Sequence, residues 1–141
     1  LLASKYQSEV YAEAWVQGKE YTVAMLDGEM LPVIRLETPN EFYDFEAKYR
    51  SDNTLYHCPC GLSQNEEDDL MNLAKKACDV IGVKGWGRVD VFIDDTGNAQ
   101  LIEVNTVPGM TDHSLVPMAA KAKGMTFEAL VWRILETSFV K

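Results

Sequence analysis

With 141 residues, 47% of them hydrophobic, the chain has the length of one globular domain and enough apolar side chain to bury a core. Its net charge of −9 disfavours nucleic acid and anionic membrane as partners, since both are held through clustered Lys and Arg. No apolar run approaches the roughly 18 residues of a membrane-spanning helix. The start, Leu1-Leu2-Ala3-Ser4-Lys5-Tyr6, has neither an initiating Met nor a signal-peptide layout, so the sequence reads as a segment excised from a soluble protein.

In chain order, Glu9 to Val16 alternates Val10, Ala12, Ala14 and Val16 with larger or polar residues, which predicts a half-buried strand ended by Gly18-Lys19. Two further runs, Glu20 to Leu26 and Glu29 to Leu36, flank Asp27-Gly28, a hairpin turn whose two positions favour positive φ. Residues 37–62 keep no steady period and mix Pro, Asn and Gly with five aromatics. This predicts a long functional loop, or else core packing at a sheet edge.

The three cysteines, Cys58, Cys60 and Cys78, are expected to be reduced; Cys58-Pro59-Cys60 is too tight for a C-x-x-C site, and a zinc site with His57 would lack a fourth ligand. Ser63-x-x-Glu66 is a capping box that opens a helix with Leu70, Leu73, Ala74, Ala77 and Ile81 on one face and Gly82 as the stop. Arg88 to Asp94 and Ala99 to Val104 form a hairpin around Asp95-Thr96-Gly97-Asn98. Two short helices follow, near Val116 to Lys123 and Thr126 to Phe139, divided by Gly124. The fold class is α+β, a mainly antiparallel sheet with helices on one face.

Residues two apart on a strand share a face, so Arg88 points with Asp90 and Glu103 with Asn105, while Val89, Val91, Ile102 and Val104 point away. A turn centred at Thr96-Gly97 sets Asp90 opposite Glu103 and Arg88 opposite Asn105. Facing carboxylates repel unless a cation lies between them. Mg²⁺ suits such a pair, with the Asn105 amide oxygen as a further hard ligand. Arg88 adds positive charge for a phosphate or a developing oxyanion. Spacing alone is equally met by a surface hairpin with an Arg–carboxylate pair. The polar loop after Asn105 carries Gly109, whose backbone N–H a ligand can approach closely, although a plain connector to the next helix has the same composition.

Gly85-Trp86-Gly87-Arg88-Val89-Asp90, followed by Glu103-Val104-Asn105-Thr106-Val107-Pro108-Gly109-Met110-Thr111-Asp112-His113-Ser114-Leu115, resembles the C-terminal signature of D-alanyl-D-alanine ligases. Phe42-Tyr43-Asp44-Phe45-Glu46-Ala47-Lys48-Tyr49 resembles that family's active-site loop. The resemblance spans nearly all of residues 1–141 and implies the C-terminal lobe of an ATP-grasp fold, with residues 37–62 as the active-site loop.

It further implies ATP and two Mg²⁺ ions, or Mn²⁺ in their place. Asp90, Glu103 and Asn105 would be the metal ligands, with Glu103 bridging both ions. Arg88 and Gly109 would stabilise a tetrahedral intermediate, Ser114 and Leu115 would contact the second D-alanine, and Phe42, Lys48 and Tyr49 would close over nucleotide and substrate. Glu13, Ala14, Trp15 and Val16 match the segment that reads the adenine edge, Glu20 the acid on the ribose hydroxyls, and Phe92 and Ile102 further nucleotide-binding residues. Taken without the resemblance, Glu13 and Glu20 read as solvated strand charges.

The implied function is ATP-dependent joining of two D-alanines through an acylphosphate, for peptidoglycan precursor synthesis in the cytoplasm, by a homodimer. Because the family's N-terminal domain and phosphate-clamping lysines do not precede Leu1, the isolated chain is expected to be inactive. The alternatives are another ATP-grasp carboxylate–amine ligase, which would share the magnesium ribbon but not Ser114-Leu115 and Lys48-Tyr49, and a non-catalytic nucleotide-binding module, which would bind without turnover.

Overall fold

The computed structural model describes residue 5 and residues 9–38 and 54–139. Among the described residues, six strands, β1 (Gly18–Leu26), β2 (Glu29–Met30), β3 (Ile34–Glu37), β4 (Leu55–His57), β5 (Trp86–Asp94) and β6 (Ala99–Asn105), and three helices, α1 (Gln64–Ile81), α2 (Leu115–Ala122) and α3 (Phe127–Thr137), follow one another. The sheet runs β4-β3-β1-β5-β6, with β2 pairing with β1, and every pairing is antiparallel.

The central strand β1 is buried without a break from Tyr21 to Leu26. Alternation would mean one wet face, so an unbroken buried run demands cover on both. Tyr21, Val23 and Met25 pack with Val89 and Val91 against Leu70, Ala74 and Cys78 of α1. Ala24 and Leu26 pack with Ile34 and Leu36 against Val116, Ala119 and Ala120 of α2 and Leu130 of α3. The antiparallel α+β fold is as expected, but the helices lie on both faces rather than one, because apolar side chains of both parities on β1 have to leave water. Burying Leu70 or Leu130 contributes about 1.5–3 kcal/mol each.

Local signals largely held. Asp27 and Gly28 adopt φ of 51° and 82°, and Leu26 pairs with Glu29 across this two-residue turn. The run from Glu29 to Leu36 divides into β2 and β3 at Pro32, which has no N–H for the ladder. Beside it the Val33 N–H donates instead to Glu67 Oε1 at 3.2 Å. In α1 both capping-box bonds form, and Gly82 ends the helix in the left-handed conformation; Cys78, rather than the exposed Ile81, completes the buried face.

Two expectations changed. Residues 9–17 form no strand; Val10 and Tyr11 are exposed, so the alternating side chains gain no core contact that would fix an extended pairing. Within residues 37–62, Leu55–His57 is the edge strand β4, paired with β3 so that Arg35 faces His57; residues 39–53 lie outside the described residues. His57 Nε2 sits 2.9 Å from Glu37 Oε2. The cysteines are free, and burial pushes all three thiols up from their ordinary pKa.

Candidate active site

Antiparallel pairing gathers one set of side chains on the face of the sheet that α2 and α3 cover at one end. Glu20 pairs with Phe92, Thr22 with Asp90 and Ala24 with Arg88 between β1 and β5. Asp90 then pairs with Glu103 and Arg88 with Asn105 between β5 and β6, in the register expected from the sequence. Val89 and Val91 point into the opposite core. Nearer the turn the register differs by one, with Val91 opposite Leu101 and Phe92 opposite Gln100, and a bulge lies between Asp90 and Val91. Ile102 is the extra residue. It absorbs the offset and thereby turns Glu103 to the same face as Asp90.

Asp90 is only 4% exposed, and each of its oxygens accepts two hydrogen bonds. The Thr22 hydroxyl donates to Oδ1 at 2.7 Å and Arg88 Nε donates to the same oxygen at 2.8 Å. Arg88 Nη2 donates to Oδ2 at 2.7 Å and Asn105 Nδ2 at 3.1 Å. A carboxylate offers about four lone-pair positions, so this buried charge is satisfied. Asn105 Nδ2 also donates to Glu103 Oε1 at 3.3 Å.

The amide nitrogen thus lies between two carboxylate oxygens, at a point where positive charge is favoured. Among the described residues no three His, Cys, Asp or Glu side chains form a metal cluster; two carboxylates and one amide make this set. That donor set fits Mg²⁺, which takes one or two carboxylates and completes its shell with water and phosphate oxygens. Turning the amide over would present the Asn105 oxygen to the same point.

The loop after β6 folds back on itself. Ser114 is the N-cap residue of α2, yet its hydroxyl makes no capping bond. It accepts the Thr111 N–H at 2.9 Å and lies 2.9 Å from Thr111 Oγ1. Exposed Gly109 packs over it so closely that an added Cβ would come within 2.9 Å of Ser114 Oγ. Leu115 is buried with Ala24 and Leu26 in the core, so its side chain packs, leaving its backbone for any ligand contact.

Of the residues singled out for nucleotide, Glu20 and half-buried Phe92 share the carboxylate face, and Ile102 sits in the bulge at its rim. Glu13, Ala14, Trp15 and Val16 lie in the irregular segment before β1. Phe42, Lys48 and Tyr49 lie outside the described residues. Sequence reasoning missed Thr22; the available signal was a hydroxyl inside the otherwise apolar run Tyr21 to Leu26 and its register opposite Asp90.

The family profile described as "D-ala D-ala ligase C-terminus" matches residues 1–136. The chain is 64% identical over 137 residues to the D-alanine–D-alanine ligase of Methylococcus capsulatus, covering 97% of this chain and 44% of that protein. It is 62% identical over 133 residues to that of Alcanivorax borkumensis, covering 94% and 43%. It therefore spans less than half the length of these relatives. Among solved structures, the D-alanine–D-alanine ligase of Bacillus anthracis complexed with ATP superposes with a TM-score of 0.75 at 29% identity, over 88% of this chain and 39% of that one. VanG D-Ala:D-Ser ligase of Enterococcus faecalis gives 0.74 at 26%, over 87% and 37%. The fold is that of the ATP-grasp domain of these ligases.

Proposed function

Because the chain belongs to the D-alanyl-D-alanine ligase family, matching the family's C-terminal part, we propose that the full-length protein joins two D-alanines at the expense of ATP, supplying the dipeptide for peptidoglycan precursors. The observation that carries this reading is the convergence of Asp90, Glu103, Asn105 and Arg88 on one face of the sheet beside Glu20 and Phe92. Its setting is a homodimer in the cytoplasm; no helix among the described residues is long and apolar enough to cross a membrane.

ATP phosphorylates the carboxylate of the first D-alanine, the amine of the second attacks the acylphosphate carbon, and phosphate leaves from the tetrahedral intermediate. Glu13 to Val16 present backbone groups to the adenine edge, Glu20 accepts from the ribose hydroxyls, and Phe92 and Ile102 flank the nucleotide. Asp90, Glu103 and Asn105 would hold the two Mg²⁺ ions, with Mn²⁺ as a substitute. When bound there, the metal would supply positive charge to the transferring phosphoryl group.

Arg88, fixed by its two bonds to Asp90, keeps its guanidinium beside the cluster without reorganising, and with the Gly109 N–H it stabilises the oxyanion. Ser114 and the Leu115 backbone orient the second D-alanine, while Phe42, Lys48 and Tyr49 close over the bound ligands. Fold likeness leaves the acceptor undecided, since one neighbour is a D-Ala:D-Ser ligase. Tyr49, which D-alanine-using members of the family carry where D-lactate-using relatives carry Phe, favours D-alanine.

The test is phosphate release from ATP by the purified full-length protein with D-alanine, L-alanine or no amino acid, with the product weighed by mass spectrometry. Release that depends on D-alanine and yields the dipeptide is expected. Nucleotide binding without turnover would favour the non-catalytic module instead.

A further inference from the structure

We propose that Thr22 is a positioning residue for the metal cluster, setting which oxygen of Asp90 faces Glu103 and Asn105; this rests on the ligation reading above. The hydroxyl lies 2.7 Å from Asp90 Oδ1 and 3.4 Å from the Val89 carbonyl, and its single proton goes to the nearer, charged acceptor. Thr22 is 2% exposed, so no bulk water can replace that bond. Valine has the same shape and suits a buried strand better, whereas a buried hydroxyl is costly unless bonded.

The placement explains the hydroxyl. Arg88 grips both oxygens of Asp90 from two residues away on the same strand and would let the carboxylate follow the swing of its own long side chain. Thr22, on the neighbouring strand directly opposite Asp90, ties Oδ1 to the centre of the sheet. Oδ2 is thereby left on the side of Asn105 Nδ2, 3.1 Å away, where a cation would be shared with Glu103.

The experiment measures Mn²⁺ affinity of the full-length protein by electron paramagnetic resonance, with a non-hydrolysable ATP analogue present, together with the melting temperature in the absence of metal. Groups that orient metal ligands typically change affinity by about 10–100-fold. Thr22→Val is expected to weaken Mn²⁺ binding at least about tenfold with the metal-free melting temperature nearly unchanged, and Thr22→Ser to stay near the unaltered protein. Unchanged affinity in Thr22→Val, equal loss in Thr22→Ser, or a Thr22→Val protein that fails to fold would each overturn the proposal, the last because the hydroxyl would then serve folding. Mn²⁺ binding by an Asp90→Asn variant equal to that of the unaltered protein would overturn the ligation reading itself.

Discussion

At the scale of single residues, Asp90 and Glu103 differ in their surroundings although they face each other. Asp90 is buried and held by four donors, while Glu103 is exposed at the open side of the pair. Removing charge from Glu103 relieves repulsion across the strands, and the amide of glutamine still offers an oxygen to Asn105 Nδ2. Glu103→Gln in the full-length protein is therefore expected to hold or raise the metal-free melting temperature while cutting ligation more than about a hundredfold, beyond what loss of an outer-shell partner costs. Retained turnover with a clear drop in melting temperature would make Glu103 a structural ion-pair member. The proposed function assigns the acceptor preference to Tyr49, whose hydroxyl would be a group for a polar network favouring an amine nucleophile. Tyr49→Phe is expected to raise the share of D-alanyl-D-lactate over D-alanyl-D-alanine when both acceptors compete near neutral pH. An unchanged product ratio argues against that role.

At the scale of the element, the β5–β6 hairpin is organised by Asp94. Its Oδ1 accepts the Thr96 hydroxyl at 2.7 Å and the backbone N–H groups of Thr96 and Asn98 at 2.9 Å each. These bonds, the Thr96 hydroxyl foremost and then the Asn98 N–H, hold the carboxyl well below the usual carboxylate range. A carboxyl whose folded pKa is depressed stabilises the fold above its unfolded pKa of about 3.9 and loses that contribution as pH falls below it. Asp94→Ala is expected to lower the melting temperature at pH 7 and to flatten its decline between about pH 5 and pH 3. Melts across that range decide the point: a variant with an undiminished acid slope would assign the titration elsewhere. The hairpin also shows how an irregularity serves the site, since the offset at Ile102 is what lets Glu103 face Asp90.

At the scale of the whole molecule, charge and coverage bear on activity. The chain carries 13 Lys and Arg against 22 Asp and Glu, so it is poorly equipped to hold a triphosphate by itself. It spans 43–44% of the length of the relatives named above. Positioning of both substrates accounts for many orders of magnitude in rate. The 141-residue chain produced alone is accordingly expected to release no phosphate from ATP in a D-alanine-dependent manner. Such release from a preparation free of host ligase would show that these residues suffice.

The residues by themselves determined much of the fold and the heart of the site. Asp27-Gly28, the capping box at Ser63 and Glu66, and the glycines at 82 and 124 are local devices whose geometry follows from backbone chemistry, so their elements appeared where expected. The facing of Asp90 with Glu103 was expected from strand parity and a turn centred at Thr96-Gly97, and it is met because the bulge at Ile102 corrects a ladder that near the turn runs one residue off. Family motifs supplied the proposed roles. What tertiary structure alone decided were features that depend on distant partners: the division of the helices between two faces, set by the double-sided burial of β1; the strand status of Leu55–His57, made by pairing with β3; and the irregular path of residues 9–17. Thr22 belongs with these. A lone hydroxyl in an apolar run does not by itself name a role, and it gains meaning because the fold brings it to a carboxylate 68 residues away.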